Sequence, residues 1–232
     1  MRKVFVAIFV SMVIILSSCE KDDITQPVEV EFEFSMESFH MEGDSKAASG
    51  FDVDEGTIII SEIQFDGRRN QGEDYYFTSD FNSPLMAQMH NRVMNQNVSY
   101  DVPQGIYDRI DIHLSLGDSA QFALQLQGRF QRGPLDEVLV DFQYAFKEQI
   151  NIRARNNQGN EQVVFTQDSG LKAKVILDVP HLFQFISMKM IQNAEITKNG
   201  NASVLEINNE KNTDIFNLMV TRLDNSMRVV FE

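Results

Sequence analysis

Residues 28–34 read VEVEFEF, an alternation without a fault. Successive side chains of a strand point to opposite faces, so this segment puts four apolar groups against a core and three glutamates in water. The same two-residue period returns at 57–65 and at 106–116. In the latter Ile106, Ile110, Ile112, Leu114 and Leu116 share one face, and Tyr107, Arg109, Asp111, His113 and Ser115 share the other. Gly117-Asp118-Ser119-Ala120 then reads as a hairpin turn. The return strand places Phe122, Leu124, Leu126 and Phe130 inside and Gln121, Gln125, Gln127 and Arg129 outside. Further strands are expected at 138–146, 149–155, 162–167 and 171–178, with Gly133-Pro134 and residues 156–160 as turns. Short turns without a strand-helix-strand rhythm predict an all-β fold, a mainly antiparallel β-sandwich of immunoglobulin-like or transthyretin-like type.

Two stretches break the period. Leu85, Met86, Met89 and Val93 recur at helical spacing, which predicts a short amphipathic helix inserted at 84–97. Near the end, residues 180–186 read as a short helix. Thr213 reads as the N-cap of a helix carrying Ile215, Phe216, Met219 and Leu223, together a small helical C-terminal cap. Residues 42–56, rich in Gly, Ser, Ala and Asp, read as a loop.

The N-terminus carries a different message. Arg2 and Lys3 precede an apolar run at 4–16 that ends in Leu16-Ser17-Ser18-Cys19. A positive start, about 13 apolar residues and small residues before a cut site make a secretory signal, too short for the roughly 20 residues of a spanning helix. Leu16-Ser17-Ser18-Cys19 resembles the lipobox of bacterial lipoproteins. That resemblance implies cleavage between Ser18 and Cys19 and covalent lipid, palmitate among it, on Cys19, the one cysteine in the chain. More than one acyl chain is what makes such an anchor stable. Glu20-Lys21-Asp22-Asp23 looks like the Lys-plus-acidic export signal of surface-exposed Bacteroidota outer-membrane lipoproteins. The run from V-P-x-G-x-Y through L-D-V-P-H-L-F to an Asn-rich turn is similar to uncharacterised β-sandwich members of that group. The expected organisation is a signal peptide at 1–18, a lipidated cysteine and acidic tether at 19–27, and a single sandwich domain at 28–232. Its expected place is the outer membrane, held by acyl chains and facing the cell exterior.

Composition narrows the function. Lys+Arg 20 against Asp+Glu 34 gives a net charge of -14, and losing Arg2 and Lys3 with the leader lowers it by two. Such a surface repels phosphate backbones, so nucleic acid is not an expected partner. With Cys19 acylated, no thiol remains for a disulfide or a nucleophile. No nucleophile elbow, zinc-protease motif, P-loop or dinucleotide fingerprint occurs, so no catalytic residues and no enzyme are expected. Three site readings remain. Tyr107, Arg109, Asp111 and His113, facing Gln125, Gln127 and Arg129 across the expected hairpin, would offer planar polar groups and an aromatic to sugar hydroxyls. Met86, Met89, His90 and Met94, with Met36, His40 and Met41, carry soft ligands that would suit copper or haem, though core packing explains methionine as well. No metal site is assigned on that basis, and no cofactor beyond the lipid. Asp118-Ser119-Ala120 matches the three-residue O-glycosylation motif of Bacteroidota exported proteins, with Ser119 as acceptor. The expected function is a non-catalytic binding module for a glycan or an envelope protein. The alternatives are a structural or adhesive component whose strand at 28–34 pairs with a neighbour, and a metal or haem carrier.

Overall fold

A computed structural model of the chain describes residues 26–43, 50–118, 122–167, 171–200 and 202–232. The signal, Cys19, the export signal and Ser119 lie outside these residues. Strand follows strand as the period-2 pattern requires: β1 (Pro27–Met36), β2 (Phe39–Glu42), β3 (Gly50–Arg69), β4 (Tyr75–Gln88), β5 (Val93–Met94), β6 (Ser99–Pro103), β7 (Gly105–Leu116) and β8 (Leu124–Gly133). They continue as β9 (Asp136–Tyr144), β10 (Glu148–Arg153), β11 (Arg155–Asn156), β12 (Val163–Phe165) and β13 (Leu171–Leu177). Helices α1 (Val179–Leu182) and α2 (Met188–Asn193) precede β14 (Thr197–Asn199) and β15 (Ala202–Ile207), and α3 (Thr213–Val220) precedes β16 (Met227–Phe231). No helix among the described residues is long and apolar enough to cross a membrane.

The strands form two sheets of a sandwich. The smaller runs β11-β16-β13-β1-β6, and the larger follows β10-β7-β3-β8-β9-β15-β14 with β2, β4, β5 and β12 attached. Most pairings are antiparallel, and β1/β13, β9/β15 and β11/β16 are parallel. Buried hydrophobics from Val28 to Phe231 make one continuous core. The inner face of the large sheet is covered in two halves. Phe165 on β12 meets Phe231 of the small sheet edge-on at 5.4 Å, whereas Phe142 and Tyr144 on β9 meet Phe216 of α3. The helices thus close the half of the large sheet that the small sheet does not reach.

Several expectations change here. Residues 84–97 are not a helix. β4 runs to Gln88, a tight turn follows with Arg92 at φ 59, and β5 begins at Val93. Leu85, Ala87 and Met89 are buried alternately, because the edge of β3 at Thr57–Ile60 needed a partner and β4 supplied it. Leu85, Met89 and Val93 suit either period, and the tertiary pairing decided between them. The expected loop at 42–56 is half strand, since β3 starts at Gly50. Residues 28–34 are not an edge either: β1 lies between β6 and β13. The helical cap is present, but Asn212 with φ 50, not Thr213, precedes α3, and the chain ends in β16 inside the small sheet.

The largest change concerns β7 and β8, which do not pair with each other as a hairpin. Ile59 takes the amide of Gly117 on its carbonyl and gives its own amide to Ala123. β7 and β8 therefore lie end to end along one side of β3, with β2 and β4 along the other.

Candidate functional site

This end-to-end arrangement divides the expected sugar-binding face. Arg109 stands opposite Arg68 of β3 and Arg129 opposite Asp52, sixteen positions away. Even the nearest members, His113 opposite Gln64 and Gln125 opposite Thr57, are seven positions apart, about 20 Å of strand at 3.3 Å per residue, so the two groups cannot touch one small ligand together.

Tyr107 leaves the face altogether. A bulge at Asp108 shifts the phase of β7, since Arg68 pairs with Arg109 while Arg69 pairs with Tyr107. Tyr107 therefore turns inward, packs against Phe65 and Phe165, and donates its hydroxyl to the Pro103 carbonyl at 2.9 Å. Burial pushes its phenol up to about 12. Ile106, expected inside, is turned out in exchange.

Arg109, Asp111 and His113 do share the outer face of β7, but they are bound to one another and to their neighbours. Asp111, 8% exposed, accepts Arg109 Nε at 2.6 Å and Arg153 Nε at 2.5 Å, and Arg153 continues to Glu161 at 2.9 Å. His113 Nδ1 bonds Asn151 Oδ1. Burial alone would raise the Asp111 carboxyl, but the hydrogen bonds and charges of Arg153 and Arg109 outweigh it and hold its pKa below the usual carboxylate value. This cluster ties β7 to β10 and the loop beyond, a structural role. Asp111→Asn is expected to lower stability by about 1–3 kcal/mol at pH 7, since two arginines lose their counter-ion. A depressed folded-state pKa stabilises fully above the unfolded value of about 3.9 and loses its contribution as pH falls through the folded one. The difference between variant and wild type should therefore close in acid below about pH 4, as urea unfolding across pH would show.

Of the other three, Gln127 and Arg129 line a concavity, and Gln125 supports its floor through Asp141. On the outer face of β8, β9 and β15 lies an open groove of about 600 Å³. Its floor is ordered by strand register. Glu55, Gln127, Asp141 and Glu206 stand directly opposite one another across β3, β8, β9 and β15. Beside that row run Arg129, Leu139 and Val204. Gln125 and Gln143 hold Asp141 between them, donating to its two oxygens at 2.8 and 2.5 Å. Glu206 accepts Lys211 Nζ at 2.6 Å and Thr197 Oγ1 at 2.9 Å, and the lysine foremost keeps its pKa low. Arg129 reaches Asp54 only at 3.7 Å, and Gln127 has no side-chain partner among the described residues. Leu139, 45% exposed, gives the floor an apolar step.

A second bulge shapes this groove. Val53 pairs with Gly128 and Glu55 with Gln127, so Asp54 is an extra residue and both Asp54 and Glu55 turn outward at the rim. The arrangement offers amide donors and acceptors, one guanidinium and several carboxylate acceptors, with no aromatic ring. Asp141, Gln143 and Glu206 were absent from the sequence-based face. The alternation of strand 138–146 does turn Asp141 and Gln143 outward, but nothing local says that β9 lies beside β8 and β15. Met86, Met89, His90 and Met94 do not assemble on one helix face: Met86 is on the outer face of β4, Met89 is buried by Gly56, and His90 is exposed in the turn. His40 bonds Asp52 at 2.6 Å across the β2/β3 pair. Among the described residues no three His, Cys, Asp or Glu side chains converge on a metal-sized site.

No protein-family model, curated protein or solved structure matches the chain.

Proposed function

We propose that the chain is an outer-membrane lipoprotein whose sandwich is a non-catalytic binding module, displayed outward, and that the β8–β9–β15 groove binds a glycan. The observation that carries this reading is Gln127, an unengaged amide at the centre of a concave, hydrogen-bonding floor beside Arg129 and Leu139. Sugar hydroxyls both donate and accept, as the amide does, and a pyranose CH face can rest on an aliphatic step. The groups around Asp141 are already positioned by their own hydrogen bonds, which lowers the ordering cost of binding. Membrane attachment rests on Cys19 and its resemblance to the lipobox.

The test is binding of the full chain to a polysaccharide array. Gln127→Ala/Arg129→Ala should weaken binding by about tenfold or more, since one lost hydrogen bond of about 1.4 kcal/mol is a factor of ten. Arg109→Ala, which touches only the Asp111 cluster, should bind like wild type. Equal binding by the groove variant would remove the groove from consideration. Lipid labelling of wild type against Cys19→Ala tests the anchor separately.

A further inference from the structure

In the large sheet, part of the outer flank of β4 has no strand beside it among the described residues. Asn70, just past the end of β3, gives its amide to the Ile106 carbonyl on β7, so residues 66 and 68 also face β7, while 63, 65 and 67 face β4. Their partners on β4 are Ser79, Phe77 and Tyr75, whose backbone groups point back to β3. Tyr76, Thr78 and Asp80 therefore project their N–H and C=O groups off the sheet. Farther along, β5 covers Ala87 and Gln88, and Asn95 covers Met86 through its backbone and side chain. Nothing among the described residues pairs with the backbone at 76, 78 and 80.

This stretch carries a single charge, Asp80, and is bounded by the bulge at 81–84, beyond which Leu85 resumes pairing with Ile60. Residues 75–80, YYFTSD, hold no proline and no lysine, and their aromatic and β-branched residues favour strand pairing. Tyr76 is 60% exposed, its hydroxyl bonded only to Thr78 Oγ1 at 2.7 Å, and Tyr75 and Phe77 are half-buried beside Tyr100. Strand 28–34, the edge expected from the sequence, is internal; β4 presents an open edge, as do the end strands β6, β10 and β14.

We propose that this edge pairs with the same edge of a second copy of the chain, antiparallel and centred on Thr78. The three projecting residues sit at equal spacing about Thr78, so an antiparallel copy in that register faces Thr78 with Thr78 and Tyr76 with Asp80. All three then pair, forming about six backbone hydrogen bonds across the two-fold axis. A shift by two residues leaves groups unpaired. In the centred register Phe77 faces Ser79 and no residues of like charge stand opposite each other, which matters in a chain with a net charge of -14. The result is one continuous sheet through two sandwiches, with the groove on each far from the joint.

The test uses the full chain in its own envelope. In the proposed register the two Thr78 Cα atoms lie about 5.5 Å apart, within disulfide range. Thr78→Cys should cross-link to a covalent dimer about tenfold faster than Leu135→Cys, a fully exposed residue at the distant β8–β9 turn. Thr78→Lys and Thr78→Glu should each be monomeric at concentrations where wild type is a dimer, and mixing them should restore a dimer. Unchanged melting temperatures would show that both fold. Thr78→Cys linking no faster than Leu135→Cys, or linking to a different protein, would overturn self-pairing. So would a wild type that stays monomeric, or a mixture of the charged variants that does.

Discussion

Gly128→Ala is expected to destabilise the protein by about 3 kcal/mol or more, beyond the usual range for overpacking. A Cβ at this position would stand 1.9 Å from the Asp52 carbonyl oxygen and 2.8 Å from both the Asp52 carbonyl carbon and the Val53 Cα. These are backbone atoms held by the β3/β8 ladder, so no side chain can swing aside. β8 must separate from β3 or the bulge at Asp54 must open, and either result disturbs the rim of the groove. A glycine inside a strand often marks such a close approach. Gly133→Ala is the control, because its Cβ would meet nothing within 4 Å. It should change stability by no more than about 0.5 kcal/mol. Urea unfolding of the three proteins measures both, and an alanine at 128 that unfolds like wild type would refute the role of the close approach.

Phe65→Ala should cost about 3–5 kcal/mol by the same measurement. Phe65 is fully buried, stacked on Phe77 at 5.2 Å and edge-on to Tyr107 at 6.1 Å. From Tyr107 the contacts continue to Phe165 at 4.9 Å and on to Phe231 in the small sheet. Removing the ring opens a cavity beside the groups that join the two sheets, and Gly67, whose own face lies against Phe65 and Tyr107, offers no side chain to fill it. Loss well below this range would mean that Phe77 and Tyr107 collapse into the space.

Much of this body was legible beforehand. The alternation of β1 and of the return strand predicted which residues are buried: Leu124, Leu126 and Phe130 are inside, whereas Phe122, expected inside and lying before β8 begins, is exposed. Misreadings gather at places where a local pattern permits two outcomes. Leu85, Met89 and Val93 fit a helix or an alternating strand, and only the unpaired flank of β3 selects the strand. Gly117-Asp118 permits a hairpin between β7 and β8 or an end-to-end placement of the two along β3, and Ile59, which bonds both Gly117 and Ala123, selects the second. At Tyr107 one extra residue in β7 moves the side chain to the other face, because the side-chain period of a strand is two.

The sequence by itself determined that the chain is a two-sheeted β-protein with short helices, which side of most strands is buried, and a single cysteine placed after a leader-like segment. Strand order, the bulges at Asp54 and Asp108 and the open edge of β4 were decided only by the tertiary structure. The physical reason is that alternation is a property of each strand alone. Pairing is chosen by backbone hydrogen bonds and packing between residues far apart in the chain, and nothing local encodes which flank meets which. The groove exists because β3, β8, β9 and β15 meet in one register, and that register is a property of the whole sheet.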